Sequence, residues 1–495
     1  MKGLVVFTGI AILAVVGGWL ATAGEDDPWT EEASLRGITH ESRSLTLPDG
    51  EAVTVIRGVV AVPEVRSKRD TRDIEIGYAA IPGTADAADI PIFLLAGGPG
   101  GSHIRNLDRR WVKERIALFR QLGDVVLVDL RGIHSSTPRF ELSGVDETWR
   151  RIRTEADWLQ LLRDSGAAGR AQLEAEGFDL EGYVVTEAAA DVIAVADHLG
   201  YERINLQGTS FGSHFTFAVV RLFPERVNRF MVTGVEGYDH TFDDGAAVRA
   251  AVARIAAETE RTWAGAHGAR DPLDAFDAFI TQSAADPAST FGFQPHELKI
   301  AQLNGDLLGF DYGLSHRDGM RTWPSDTAQL LDGAGSWRIQ LLRWFAGLAM
   351  GREASEAAVG LFDCASWISD ERAQKLRQNA PPNFPNNLQT MEAICAGWDV
   401  APLPAPFQLG EVSQVPGLFV HGTYDVSTPY ENAVEMMPLF PNGTLVTVTG
   451  GSHDVFDEVL ELRQEFASAL IDWFRGGEPP ADVQLPPLEF TPLAQ

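Results

Sequence analysis

The stretch Ile204–His214 reads INLQGTSFGSH, and its reading decides the fold. A strand-like run, Ile204-Asn205-Leu206, leads into Gly208-Thr209-Ser210-Phe211-Gly212, and Phe215–Val220 continues as apolar residues suited to a buried helix. Strand, tight turn and helix in that order form the context in which a GxSxG serine sits at a strained elbow, its hydroxyl raised above the sheet edge. The flanking glycines carry no side chains to collide where strand and helix converge. Ser210 is therefore the candidate nucleophile. A bare GxSxG is expected by chance roughly 0.3 times in a chain of this length and composition, so the weight falls on its surroundings.

Working outward, short continuous apolar runs recur on both sides of the elbow. Pro91–Ala96, Asp124–Leu130 and Phe230–Val235 read as strands buried on both faces, and helical patterns at Leu107–Leu122 and Glu187–Leu199, the latter capped by Thr186, alternate with them. The rhythm resumes with strand Gly417–His421, helix Tyr430–Leu439, strand Thr444–Val448 and helix Val455–Phe474. Such alternation predicts an α/β fold, a mostly parallel sheet with helices on both faces. Upstream, Ser44–Val62 and Thr71–Ile81 alternate apolar with polar residues and read as antiparallel edge strands. Asp146–Gly182 is a polar, helix-prone excursion. From Tyr238 to Gln414 the alternation stops; amphipathic helices such as Ala246–Ala264 and Trp337–Met350, and a Pro/Asn loop at Asn379–Asn387, predict a helical cap insertion. The expected divisions are 1–23 as a signal peptide, 24–237 as the first part of the core, 238–414 as the cap, and 415–495 as the second part of the core with a proline-rich tail.

Met1-Lys2, the apolar run Leu4–Val16, Gly17-Gly18 and Ala21-Thr22-Ala23 have the layout of a secretory signal cleaved after Ala23, an uncleaved membrane anchor being the alternative. A secreted or periplasmic protein is expected, with no stable membrane association once the signal is removed. In oxidising surroundings the only two cysteines, Cys364 and Cys395, are expected to pair as a disulfide, two buried free thiols being the alternative. The formal net charge of -29 disfavours nucleic acid and anionic lipid as partners and would suit a cationic ligand such as a peptide amino terminus. Zinc-type Cys/His spacing is absent, and neither a metal nor any other cofactor is expected.

A serine hydroxyl is a weak nucleophile and needs a base, itself oriented by a carboxylate. Downstream of Ser210, Asp425 lies in the turn after one strand and His453 in Gly450-Gly451-Ser452-His453 after the next, in the chain order Ser, Asp, His. Both turns lie at strand C-termini, the edge at which an elbow presents its serine. His214 lies too near the elbow for the part, and His421 lies inside a strand ahead of the aspartate. The backbone N–H of Phe211 and that of Gly98, in the loop Gly97–Ser102, are the expected oxyanion donors. Glu236, just past a strand, is the candidate carboxylate for a substrate amine.

These residues carry a resemblance. Ala96-Gly97-Gly98-Pro99-Gly100-Gly101-Ser102 resembles the His-Gly-Gly-Pro-Gly loop of prolyl iminopeptidases, and Asp129-Leu130-Arg131-Gly132 resembles their Asp-Gln-Arg-Gly. Tyr183–Gly212, Cys364, Cys395-Ala396-Gly397-Trp398 and HGTYDVSTPYENA at 421–433 resemble the secreted tripeptidyl aminopeptidases of the same α/β-hydrolase group. Ala96 and Leu130 depart from the pattern, which bears on specificity. The resemblance implies an α/β-hydrolase fold and a serine peptidase that removes short peptides or single residues from a free N-terminus through an acyl-enzyme. It further implies Ser210, Asp425 and His453 as the triad. The alternatives are a carboxylesterase on the same scaffold and a catalytically inactive binding protein. The preferred terminal residue and the oligomeric state are not legible in the sequence.

Overall fold

The computed structural model describes Trp29 and residues 31–86, 90–142, 154–285, 314–332, 353–379, 381, 388–404 and 406–493. The expected signal peptide and the expected helix at Trp337–Met350 lie outside these residues, as does most of the Pro/Asn loop.

Eleven strands form one sheet: β1 (Glu31–Leu35), β2 (Ile38–Thr46), β3 (Ala52–Pro63), β4 (Asp73–Ile81), β5 (Ile92–Leu95), β6 (Val125–Val128), β7 (Ile204–Ser210), β8 (Val227–Val235), β9 (Gly417–Gly422), β10 (Gly443–Thr449) and β11 (Val483–Gln484). Their spatial order is β1-β2-β3-β4-β6-β5-β7-β8-β9-β10-β11. β1 to β4 are antiparallel, β4 joins β6 antiparallel, and every pairing from β6 to β11 is parallel. With the crossover at β5 and β6, this is the α/β-hydrolase topology.

β5 (IFLL) and β6 (VVLV) are wholly apolar and fully buried because both faces of the sheet are covered there. One face packs against α3 (Val185–His198) and α4 (Phe211–Leu222), where Phe217, Phe230, Phe419 and Phe440 form an aromatic cluster. The other carries α1 (Arg110–Phe119) together with a C-terminal helix pair, and Phe119 stacks on Phe456. α2 (Glu155–Ala175) fills the polar excursion, with Thr154 accepting a cap bond from the Asp157 N–H.

Between β8 and β9 the described elements are all helical: α5 (Gly245–Glu258), α6 (Pro272–Ala285), α7 (Arg317–Leu331), α8 (Glu353–Ala358), α9 (Asp370–Asn379) and α10 (Leu388–Trp398), besides shorter turns. α8 runs on through a π-helical turn, Val359–Asp363, into Cys364–Ser366, and Cys364 is bonded to Cys395 on α10. The last helices are α11 (Tyr430–Met436), α12 (Val455–Leu462) and α13 (Gln464–Phe474).

Four local expectations need correction. Ser44–Val62 is two strands, because Pro48-Asp49-Gly50 turns the chain: Gly50 takes φ +91 and Asp49 accepts the Glu51 N–H. Val455–Phe474 is two helices, broken at Arg463, which leaves helical φ/ψ and sends its guanidinium to the Gln484 carbonyl. Thr186 lies inside α3, whose start is flanked by Val184 without a side-chain cap. The tail adds β11 to the sheet, where Val483 and Gln484 pair with Val448 and Thr449.

The Asp129-Leu130-Arg131-Gly132 motif is absorbed by the scaffold. Arg131, fully buried, grips Asp191 of α3 with two bonds of 2.8 and 2.7 Å and donates to the carbonyls of Glu64 and Gly182. Asp129 accepts from the N–H and hydroxyl of Ser135. A buried charge with each of its three nitrogens engaged fixes the loop after β6.

Candidate active site

The elbow is built as the glycine spacing requires. A Cβ on Gly208 would stand 2.0 Å from the Gly212 carbonyl oxygen, and one on Gly212 would stand 2.3 Å from the Leu95 oxygen. Ser210 between them has φ 59° and ψ -132°, a conformation that costs of order 1–3 kcal/mol and persists only because strand and helix impose it. α4 begins at the next residue. Its first N–H groups, Phe211 among them, have no acceptor within the helix and stand at its positive end.

The glycine loop after β5 lies directly against this turn. A Cβ on Gly97 would be 3.0 Å from Ser210 Cβ, and Gly98 has φ +128, which favours glycine. Of the expected donor positions, Phe211 directly follows the serine in the chain, and Gly98 directly follows Gly97, the glycine packed on Ser210.

His453 arrives from the other side. Ser210 pairs with Val235 in the sheet register, and the His453 ring lies over the preceding residue, where a Cβ on Gly234 would be 2.8 Å from Cε1. His453 Nδ1 is 2.9 Å from Asp425 Oδ2 and 3.1 Å from Oδ1. Asp425 is fully buried; its carboxylate accepts the N–H groups of Ser427 and Thr428 and the Thr428 hydroxyl. Burial alone would raise the Asp425 pKa and lower that of His453. Their mutual attraction outweighs it, so the carboxylate is held below and the imidazole above its ordinary value.

Cap residues fasten the histidine loop. Ser315 accepts the His453 N–H at 3.2 Å, His316 lies 2.5 Å from Asp454, and Arg317, buried, donates to the Gly450 carbonyl. The competing histidines have other duties. His421 Nε2 accepts the Val235 N–H beneath the sheet edge, and His214 joins the Gly237 carbonyl to Ser366 of the cap.

Glu236 stands beside the nucleophile. Its N–H donates to Ser213 Oγ at 2.8 Å, and that hydroxyl lies 2.6 Å from the Ser210 carbonyl oxygen. It is not alone: Asp243, from the loop after β8, and Asp363, from the π turn of the cap, share its electrostatic environment. Burial and then the Asp243 charge push Glu236 up to about 8. Burial, against the pull of Arg372, pushes Asp243 up to about 7. Burial and the charges of Glu236 and Asp243 raise Asp363 well above the usual range. Asp363 Oδ1 is buried without a hydrogen-bond partner among the described residues.

Sequence reasoning missed Asp243 and Asp363. Neither carries a local motif, and they meet Glu236 only through the cap. Three carboxylates that repel one another in a dry site are poised to take a cation. Among the described residues, no group of three or more His, Cys, Asp or Glu is arranged to hold a metal ion.

A profile of the family described as TAP-like protein matches residues 380–484, which hold Asp425 and His453. "Serine protease Hip1" of Mycobacterium tuberculosis is 22% identical over 526 residues, covering 96% of this chain and 94% of the relative. "Tripeptidyl aminopeptidase" of Streptomyces coelicolor is 26% identical over 434 residues, covering 80% of this chain and 77% of the relative. Among solved structures, a thermophilic esterase from Thermogutta terrifontis matches with 14% identity, 85% of this chain, 98% of that chain and a TM-score of 0.35.

Proposed function

The chain is a serine peptidase of the TAP-like α/β-hydrolase kind, and from that premise we propose that it removes short peptides or single residues from the free amino end of peptides by acyl transfer. In this reading His453 takes the Ser210 hydroxyl proton as Oγ attacks the scissile carbonyl. Asp425 holds the imidazole in the tautomer with Nδ1–H and stabilises the imidazolium that forms. The oxyanion is met by the N–H groups of Phe211 and Gly98. Collapse of the tetrahedral intermediate breaks the C–N bond, and His453 returns its proton to the leaving amine. Water, deprotonated by the same imidazole, then releases the acyl group from Ser210.

The observation that carries the amino-terminal assignment is Asp363 Oδ1, buried and without a hydrogen-bond partner among the described residues, in the field of the raised carboxyls of Glu236 and Asp243, of which Glu236 is tied through Ser213 to Ser210. A peptide ammonium stabilises the ionised form of these carboxyls, whereas an acetylated terminus brings no charge to them. Export belongs to the same proposal. The Cys364–Cys395 disulfide and the leader-like residues 1–23 support it, and no helix among the described residues is long and apolar enough to cross a membrane.

The test is turnover of matched tripeptide anilides with free and acetylated amino termini beside a Ser210→Ala control, with fluorophosphonate labelling of Ser210. Turnover of the free-amine substrate that is lost in the control, with labelling of the wild type, supports the reading. Ser210-dependent hydrolysis confined to short acyl esters would mean a carboxylesterase, and no labelling of folded protein would mean an inactive binding protein.

A further inference from the structure

Across the sheet from the carboxylates lies a cavity of about 760 Å³ that the reaction does not use, lined by His40 and Arg43 of β2, Arg57 of β3, Tyr78 of β4, Arg105 of the loop after β5, and His198 of α3 among others. A neighbouring cavity of about 530 Å³ shares His198 and adds Arg36. The larger cavity's lining also includes the carboxylates of Glu41 and Asp108, so on a chain of net charge -29 the three arginines Arg43, Arg57 and Arg105 leave it a small cationic excess. Two of the arginines are paired with exposed carboxylates, Arg43 with Asp108 at 3.0 Å and Arg57 with Glu41 at 2.7 Å. Arg105 and Arg36 have no carboxylate partner among the described residues.

The buried polar atoms in the larger cavity that lack partners are nitrogens. His40, only 8% exposed, sets Nδ1 3.3 Å from the Tyr78 hydroxyl; its Nε2 and the Nε of Arg43 have no hydrogen-bond partner among the described residues, while His134 Nδ1 faces Asp129 Oδ2 at 3.4 Å. Burial and then the neighbouring His198 lower the His40 pKa, and burial pushes the Tyr78 phenol up to about 12. In the tautomer where the phenol donates to Nδ1, His40 carries its proton on Nε2 and offers it to an acceptor.

Part of the cavity's lining lies level with the sheet edge that bears Ser210. Tyr78 pairs with Val128, the last residue of β6, and Arg105 belongs to the loop whose first glycines touch Ser210. Glu236 follows β8, one strand to one side of β7. β4 lies three strands to the other side, beyond β5 and β6. At about 4.8 Å per strand that is about 15 Å, a span an extended peptide covers in about four or five residues.

We propose that this groove receives a carboxylate of the departing peptide, its C-terminus or an acidic side chain, about four or five residues beyond the cut. The substrate then lies across the sheet edge with its ammonium over β8 and its carboxylate over β4. The inference rests on the aminopeptidase reading and adds a preference for oligopeptides over dipeptide-sized leaving groups.

The experiment measures kcat/KM for the full chain on three octapeptides, cut after residue three, that end in a free carboxylate, in an amide, or in an amide preceded by aspartate. A tripeptide anilide, which has no leaving chain, reads the aminopeptidase proposal alone. We expect the free acid to exceed the plain amide about tenfold, the aspartyl amide to recover that gain if an acidic side chain serves equally, and the acid-to-amide ratio to fall towards one in Arg105→Gln or in high salt. Arg105 is exposed, so its replacement spares the core. Equal kcat/KM for acid and plain amide in the wild type, or a ratio that persists in Arg105→Gln, overturns the groove assignment while anilide turnover keeps the aminopeptidase reading standing. Failure to turn over the anilide removes both.

Discussion

His453 Nδ1 lies 2.9 Å from Asp425 Oδ2, and the same carboxylate is pinned by the Ser427 and Thr428 N–H groups, so the imidazole faces an acceptor that is itself immobile. Replacing Asp425 by Asn presents an amide to Nδ1 and allows the wrong tautomer. We expect kcat to fall by on the order of 10⁴ with little change in KM, measured on a free-amine tripeptide anilide.

The carboxylate trio predicts a division of effects. Glu236→Gln or Asp363→Asn weakens binding of the ammonium, raising KM for free-amine substrates by on the order of 10- to 100-fold. Hydrolysis of an acetylated ester remains within a few-fold, because Ser210, His453 and Asp425 are untouched. Matched steady-state kinetics on the two substrates check this.

The same trio sets a pH dependence of stability. Glu236 titrates at about 8 in the folded chain against an ordinary 4.5, and Asp243 at about 7 against 3.8. A carboxyl whose folded pKa is raised stabilises the fold fully below its unfolded pKa, and that contribution is lost as pH rises through the folded one. The wild type should therefore lose stability between about pH 4 and pH 8, and Glu236→Gln should have the higher Tm at pH 8 but no advantage at pH 4. Thermal melts across that range decide the point.

Activity should follow a different curve. His453 must be neutral to accept a proton, and its pKa is raised above 6.5, so turnover climbs above that pH. The acidic site regains its charge over the same interval, while a peptide α-amino group loses its own near about pH 8. We expect kcat/KM for a free-amine anilide to peak near about pH 8 and to decline beyond it. An acetylated ester should rise to a plateau.

The Cys364–Cys395 bond ties the π turn that carries Asp363 to α10 across 31 residues of sequence. Reducing it, or replacing both cysteines by serine, should cost about 3 kcal/mol of stability in chemical denaturation. It should also raise KM for free-amine substrates, since Asp363 immediately precedes Cys364.

The core and the elbow were legible because their signals are local. Strands covered on both faces read as continuous apolar runs, and the glycines at 208 and 212 meet real steric walls in the Leu95 and Gly212 carbonyls. Asp425 and His453 could be found because each follows a recognisable strand. The carboxylates could not be found beyond Glu236. Asp243 and Asp363 meet the field of Glu236 only through the cap, and nothing in their neighbouring residues distinguishes them from solvated acids. The small strands β1 and β11 escaped because so few residues give no period, and the break at Arg463 lies within an otherwise continuous apolar pattern.

The most direct test is the ratio of kcat/KM for a free-amine over an N-acetylated tripeptide anilide, measured in the wild type and in Asp363→Asn. The account predicts a wild-type ratio on the order of 100 or more that drops at least tenfold in the variant. A wild-type ratio near one, or a large ratio untouched by Asp363→Asn, would contradict the assignment of the buried carboxylates to the substrate's amino terminus.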